Sequence, residues 1–222
     1  MATRSTFSRE LREIQAEVLV LGSMVDQSIT RSIDALKNRD VEEAKRIIND
    51  DQAVNKKRFE IEERCLQTIA TQQPMASDLR VLASVLYVIA DLERMADHSE
   101  GTAKIVIRLG VEPPVKPLVD IPIMAEKCRE MLRDALDAFF RHDAEAAIEI
   151  ANRDDEVDAI YDRVQRDLLD LMIQDPSVVE RATYLVWVVH NFERIADRVT
   201  NICERVAFVT TGRMEEVNVS AY

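Results

Sequence analysis

Apolar residues recur every three or four positions along most of this chain, the spacing expected of helices that each bury one face. The first such segment covers residues 8–37, and its apolar positions are Leu11, Ile14, Val18, Leu21, Val25, Ile29, Ile33 and Leu36. A second segment follows Asp40 and runs to about Gln72, and a third ends at Gly110. The pattern predicts three long helices in this half of the chain.

The breaks between these segments carry residues typical of helix ends. Asp40 and Glu43 are spaced as in a capping box, in which each of two side chains accepts a backbone N–H near the other. Pro74 fits a first helical turn, where the N–H that proline lacks would have no partner. Four of the six prolines lie between residues 110 and 122, so residues 111–120 are predicted to form a linker.

The chain beyond the linker repeats the same plan. It predicts helices over about 121–140 and 143–173, and a third that opens at Asp175-Pro176 and ends near Gly212. The segment LERMAD at 92–97 returns as FERIAD at 192–197, and DDQAVN at 50–55 corresponds to RDDEVD at 153–158.

The predicted fold is therefore all-α, with two tandem, homologous three-helix bundles that resemble spectrin repeats. The bundles are predicted over residues 1–110 and 121–212, and the tail 213–222 is predicted to fray.

The composition is typical of long helices and excludes some classes of function. Apolar residues make up 47% of the chain, which has only 4 Gly and 6 Pro. With 41 acidic and 29 basic residues the net charge is −12, so nucleic acid is not an expected partner. Neither a signal peptide nor a transmembrane run is apparent, and the three cysteines have no metal-type spacing. We expect a cytoplasmic protein whose Cys65, Cys128 and Cys203 are structural thiols.

Two acidic pairs stand at matching positions of the repeat. Glu93 and Asp97, like Glu193 and Asp197, are four residues apart and share one helix face, where like charges destabilise an isolated helix by roughly 0.2–0.5 kcal/mol per pair. A polyvalent cation would relieve that repulsion.

A second pair lies on the middle helix of each half and can converge with the first. Oxygen ligands suit Mg²⁺ and Mn²⁺, and also iron or zinc where carboxylates bridge several ions. Asn55 gives the first half one carboxylate fewer, so we expect a weaker site there. The candidate metal ligands are Asp51, Asn55, Glu93 and Asp97 in the first half, and Asp154, Asp158, Glu193 and Asp197 in the second.

Two other interpretations stay open from these residues. The carboxylates could be solvated and neutralised by neighbouring arginines, which would leave a metal-free helical interaction module. They could instead activate water or oxygen in a metal-dependent hydrolase or oxidase. No Gly-rich phosphate loop, nucleophile elbow or Glu-x-x-His pair is present, so catalysis is not expected.

The phrases that carry these residues resemble the PhoU family of bacterial phosphate-transport regulators. The resemblance rests on QPMASDLR at 73–80, both ERxxD phrases, and the DxxVN and DxxVD phrases of the middle helices, and it extends from about Phe7 to Val209.

The resemblance implies a non-enzymatic adaptor that binds metal ions through E(D)xxxD pairs, which hold multinuclear clusters in some members of the family. It also implies association with the ATPase of the phosphate ABC transporter and with a sensor histidine kinase, and repression of the starvation response when phosphate is plentiful. Contact with the membrane would be through these partners, and a homodimer is expected.

Overall fold

The structure, a computed structural model, describes residues 4–217, and every regular element in that range is helical. The helices are α1 (Arg4–Asn38), α2 (Val41–Gln72), α3 (Ala76–Leu109), α4 (Asp120–Arg141), α5 (Ala144–Ala151), α6 (Asp154–Gln174) and α7 (Val179–Thr211), with a 3₁₀ turn at Pro176–Val178. The prediction of an all-α fold is confirmed. Of the predicted tail 213–222, residues 218–222 lie outside the described residues. Between residues 4 and 217 no helix is long and apolar enough to cross a membrane.

The first turn of each half has the same backbone geometry. Arg39 and His142 adopt left-handed φ values of 55° and 56°. The aspartate that follows each of them donates its N–H to a carbonyl five residues earlier, over 2.9 Å in both halves. The side chains of Asp40 and Asp143 then accept the N–H three residues later, at 2.8 and 3.0 Å. The repeat therefore extends from sequence to turn conformation.

Only one half of the predicted capping box forms. Asp40 caps α2 as expected, but the Glu43 carboxylate does not reach back to the Asp40 N–H, which bonds to a carbonyl of α1 instead. Glu43 accepts from Arg31 at 2.5 Å and from Arg46 at 2.7 Å. Because two guanidinium groups are within its reach, the carboxylate ties α1 to α2 rather than capping its own helix.

The helix predicted over 143–173 is wrong in one respect, because the chain tightens at Asn152-Arg153 and forms α5 and α6 instead. The N–H of Arg153 bonds to the carbonyl of Ile150 three residues back, and Glu156 bonds to Arg153 in the same way. Asn weakens a helix interior because its side chain competes for backbone groups. The consequence is local: Asp154 becomes the first residue of α6, where the helix dipole favours negative charge.

Each half is a three-helix arrangement, and the halves share one continuous hydrophobic core. α1, α2 and α3 pack together, as do α4, α7 and the α5–α6 pair. The halves join where α3 lies along α7 and α1 lies against α4. The inter-half contacts therefore involve four of the long helices, and α2 and α6 flank them.

Polar contacts between α3 and α7 follow a pseudo-twofold pattern. Asp91 accepts from Arg198 at 3.4 Å and from Asn201 at 3.2 Å. At the matching position 100 residues later, Asn191 lies 3.3 Å from the Nδ1 of His98. Early residues of α3 thus meet late residues of α7 and the reverse, so the two helices are antiparallel.

The contact between α1 and α4 depends on close packing and on ion pairs made by Asp26 with Arg129 and Arg133. A Cβ atom added at Gly22 would lie 2.1 Å from the Cδ1 of Leu136, so glycine lets that side chain approach the α1 backbone. One turn along α1, Asp26 accepts two hydrogen bonds from Arg129, at 2.9 and 3.2 Å. Both side chains are about four-fifths buried, at 19% and 22% exposed, so the pair is only weakly screened by water.

We predict that Arg129→Ala lowers the free energy of unfolding by about 2 kcal/mol, because it leaves the largely buried Asp26 with only the longer contact to Arg133, at 3.9 Å. The control is Lys45→Ala, which removes an exposed pair with Glu42 and is expected to change stability by less than about 0.5 kcal/mol. Urea denaturation measures both. Equal effects would mean that the α1–α4 ion pair is no stronger than a surface contact.

Candidate metal centres

The four candidate ligands of the second half converge between α6 and α7. Asp154 and Glu193 are almost fully buried, at 4% and 7% exposed, whereas Asp158 and Asp197 are partly exposed. Burial, together with the neighbouring charges of Asp158, Asp197 and Glu193, raises the pKa of Asp154 to about 7. Asp154 therefore lies close enough to the other three carboxylates for their charges to act on it.

The buried carboxylates of this cluster lack the partners that buried carboxylates usually have. The Oδ1 of Asp154 is buried and has no hydrogen-bond partner among the described residues. The Oε2 of Glu193 makes ion-pair contacts with Arg194 at 2.9 Å and His190 at 3.5 Å, but no well-directed hydrogen bond. Burial and the charge of Asp197 raise the pKa of Glu193 to about 7. Polar atoms left in this state are costly unless a ligand supplies the missing contact.

The first half brings its candidates together in a more open arrangement. Burial raises the pKa of Asp51 to about 6, and the charges of Asp97, Glu100 and Glu93 contribute to the increase. The amide of Asn55 donates to Asp51 at 2.8 Å. Asn55 thus turns its nitrogen, rather than its oxygen, to the carboxylate.

Sequence reasoning missed Glu100, which contributes to the charge around Asp51. Glu100 is seven residues after Glu93 and three after Asp97, so helical spacing alone places it on the same face. Its Oε2 atom accepts a hydrogen bond from the Nζ of Lys104 at 2.5 Å. At the matching position α7 has Thr200, so the repeat itself gave no signal for this carboxylate.

In each cluster an arginine forms an ion pair with the partly exposed aspartate of the last helix. Arg94 lies 3.2 Å from Asp97, and Arg194 lies 3.0 Å from Asp197, in equivalent geometry. Within residues 4–217 no three Asp, Glu, His or Cys side chains are gathered around one point in the manner of a finished metal site. A cation would have to displace the guanidinium groups and rotate the outer carboxylates inward.

The residues of both clusters fit a hard cation in their chemistry. The donors are carboxylate and amide oxygens, and the unpartnered Oδ1 of Asp154 is one contact that a metal ion would satisfy. At Asp197 the guanidinium of Arg194 supplies the positive charge that a metal ion would otherwise supply. The ligand assignment itself, for all eight residues, stays a prediction.

The fold and the clusters together define a class of protein: an all-α chain of two repeats, each with a pair of acidic helix faces turned toward one another. Known proteins of this class match it closely. The family model described as PhoU domain matches twice, over residues 18–106 and 121–206. The chain belongs to the PhoU family.

Individual relatives agree over nearly the full length. The phosphate-specific transport system accessory protein PhoU homolog of Clostridium acetobutylicum is 36% identical over 217 residues, which cover 97% of this chain and 99% of the relative. The crystal structure of the phosphate transport system regulatory protein PhoU from Streptococcus pneumoniae superposes with a TM-score of 0.89 at 34% identity, over 94% of this chain and 99% of that one. PhoU from Pseudomonas aeruginosa gives a TM-score of 0.88 at 31% identity, over 93% and 100%.

We predict that Asp154→Asn stabilises the metal-free chain more at pH 8 than at pH 5, where only part of the cost of the buried carboxylate is present. The pKa of Asp154 is raised from 3.8 to about 7, so the folded state binds an extra proton and stability falls as pH rises through this interval. At pH 8 the wild-type carboxylate is charged while it is buried, which lowers the free energy of unfolding. The uncharged amide of asparagine removes this destabilisation. We expect a gain of about 2 kcal/mol, half of the full shift because the cluster opens to solvent.

Thermal melts in chelator at the two pH values measure this difference. Asp170→Asn is the control, since Asp170 is exposed on the same helix. A gain of equal size at pH 5 and pH 8 would show that the buried charge of Asp154 is not its cause.

Proposed function

We propose that this chain is a non-enzymatic regulator of phosphate uptake and of the phosphate-starvation response. In this proposal it associates in the cytoplasm with the ATPase of the phosphate ABC transporter and with a sensor histidine kinase, and it represses the response when phosphate is plentiful. The observation that carries the proposal is the match of both repeats to the PhoU domain. Relatives named as accessory or regulatory proteins of phosphate transport support it over nearly the whole chain.

Metal ions are the second part of the proposal. Asp154, Asp158, Glu193 and Asp197 would hold iron, zinc, magnesium or manganese in the second half, and Asp51, Asn55, Glu93 and Asp97 would do so in the first. A bound cation would neutralise the like charges of a cluster. The chain's own residues would then fix the distance between the middle and the last helix of each half, and Arg94 and Arg194 would be released to the surface.

The clusters lie next to the contacts between the two halves, so an effect of cation binding could reach the rest of the molecule. Asp197 is followed directly by Arg198, which reaches across to Asp91 of the first half. Asp97 is followed by His98, which meets Asn191 of the second half. A change at either cluster therefore lies one residue from the polar contacts between α3 and α7. Partners that contact both halves, or a second copy in the expected homodimer, would meet the altered surface.

A metal-dependent enzyme is the rival that one observation favours. The pKa values of Asp154 and Glu193 are both raised to about 7, as is typical of groups that exchange protons during catalysis. The enzyme hypothesis requires metal-dependent turnover that is lost in Glu193→Ala. A lack of turnover with phosphate esters and peroxides by the metal-loaded chain would count against it.

We predict that Asp158→Ala combined with Asp197→Ala removes the metal ions of the second half and retains those of the first. Equilibrium dialysis with Mn²⁺ and elemental analysis give the stoichiometry, and far-UV circular dichroism measures helicity. Helicity should be unchanged because both side chains are at the cluster's open side. The control, Asp167→Ala with Asp170→Ala, changes the same charge on exposed positions. An unchanged stoichiometry would contradict the ligand assignment, and a collapse of helicity would instead make the cluster a folding element.

We predict that the affinity-tagged chain co-purifies with the transporter ATPase and the sensor kinase from phosphate-replete cells of its source. Cells grown without phosphate and a tagged unrelated helical bundle are the controls. Capture of neither protein in replete medium, confirmed by quantitative mass spectrometry, would contradict the proposed partners whatever the outcome of the metal measurements.

A further inference from the structure

The C-terminal tail turns back along α7 instead of continuing away from it. Gly212 ends the helix with a left-handed φ of 74°, and its N–H bonds to Phe208 at 2.9 Å. The Arg213 N–H then donates to the hydroxyl of Thr211 at 3.1 Å. Four residues later, Val217 is half-buried against the hydrophobic core. The tail is therefore seated on the molecule up to the last described residue.

This return brings Glu216 to the second carboxylate cluster. Four extended residues span about 13 Å, and the eight helical residues from Gly212 back to Glu204 span about 12 Å, so the distances agree. Glu216 lines one open cleft of about 380 Å³ together with Asp154 and Asp197. The other residues of that cleft are Arg194, Arg198, Thr200, Asn201 and Glu204.

The charges in the cleft are not balanced by its own arginines. Arg194 is engaged by Glu193 and Asp197, and Arg198 by Asp91. Glu216 makes no hydrogen bond or ion pair with the described residues, and the buried Oδ1 of Asp154 has no partner either. Asp154 and Glu216 thus line one open cleft, and neither Glu216 nor the buried Oδ1 of Asp154 has a partner within residues 4–217. A cation between them would link the carboxylate of the tail to the cluster and so favour the seating of Val217.

We infer that Glu216 is a further ligand of the cation held by the second cluster, so that cation binding fastens the C-terminal tail over α7. The inference rests on the metal binding proposed above and adds a ligand from outside the repeated helices. The cleft has room for a hydrated cation, and a hard cation such as Mg²⁺ or Mn²⁺ usually keeps several waters and takes one or two carboxylates.

The fastening is specific to the second half. After α3 the chain continues into the linker, where Glu112 pairs with Arg181 at 3.2 Å. That carboxylate is committed to the start of α7 rather than to the cluster around Asp51. Within the described residues the two clusters are therefore unequal, and occupation of the second would act on residues 213–217.

The test compares Glu216→Gln with Glu215→Gln in the full chain, using Mn²⁺ as the probe. Glu215 is the matched control because it is the adjacent exposed carboxylate and does not line the cleft. We expect Glu216→Gln to weaken Mn²⁺ binding at the second cluster by about tenfold, and Glu215→Gln to leave it unchanged. Asp51→Asn with Asp97→Asn in all chains removes the first cluster, so dialysis reports the second one alone.

Trypsin provides a readout of the tail itself, since cleavage after Arg213 releases the tail and intact mass spectrometry counts the products. Mn²⁺ should slow this cleavage by about tenfold in the wild-type chain and in Glu215→Gln, but not in Glu216→Gln. If the wild-type chain binds Mn²⁺ while cleavage and affinity are the same in all three chains, the inference is overturned and the metal site stands. If the wild-type chain binds no Mn²⁺, the proposed metal function fails and the inference fails with it.

Discussion

The rest of the structure depends on how carboxylates are held out of water between helices. In the second half, Asp154 and Glu193 lie in the contact between α6 and α7 with less than a tenth of their surface exposed. Burial of like charges is unfavourable, and a chain can meet it by binding protons, by recruiting arginines or by binding cations. The pKa values of about 7 and the pairing of Arg194 with Asp197 are the first two responses, and both are reversible. Cation binding is the third response, and it is the one proposed for this chain.

Because the sequence is duplicated, buried carboxylates of this kind occur in both halves of the molecule. Because the two halves pack through α3 and α7 in antiparallel fashion, the acidic faces of the repeat lie on either side of one pseudo-twofold contact. The two copies are not identical. Asp91 faces Arg198 where Asn191 faces His98, and the first cluster contains an amide where the second has a carboxylate. Under the proposed metal binding, this difference in charge would make the two halves bind a cation at different concentrations.

Much of the fold and of the site could be predicted from sequence because it is local or periodic. Helix periodicity gave the long helices, proline density gave the linker, and the four-residue spacing of Glu193 and Asp197 gave a carboxylate face. The repeat then indicated that this face meets Asp154 and Asp158. Each inference needs only residues within a few turns of one another, or an exact copy elsewhere in the chain.

What could not be predicted depends on contacts between residues distant in sequence. The Glu43 carboxylate does not complete the capping box of α2 because it accepts a hydrogen bond from Arg31 of α1. The break before Asp154 depends on two 3₁₀ hydrogen bonds that helical periodicity does not encode. The return of the tail to α7 brings Glu216 to a cluster that no local pattern connects to it. In each case the deciding partner is set by packing rather than by neighbouring residues.

The central claim is that the facing carboxylates of each repeat exist to hold cations. Anomalous X-ray scattering at the manganese edge, from crystals grown with Mn²⁺ at saturating concentration, tests it most directly. The account predicts anomalous peaks between α6 and α7 and weaker ones between α2 and α3, with Arg94 and Arg194 moved away from Asp97 and Asp197. Featureless anomalous maps, with both guanidinium groups still paired to these aspartates, would contradict it.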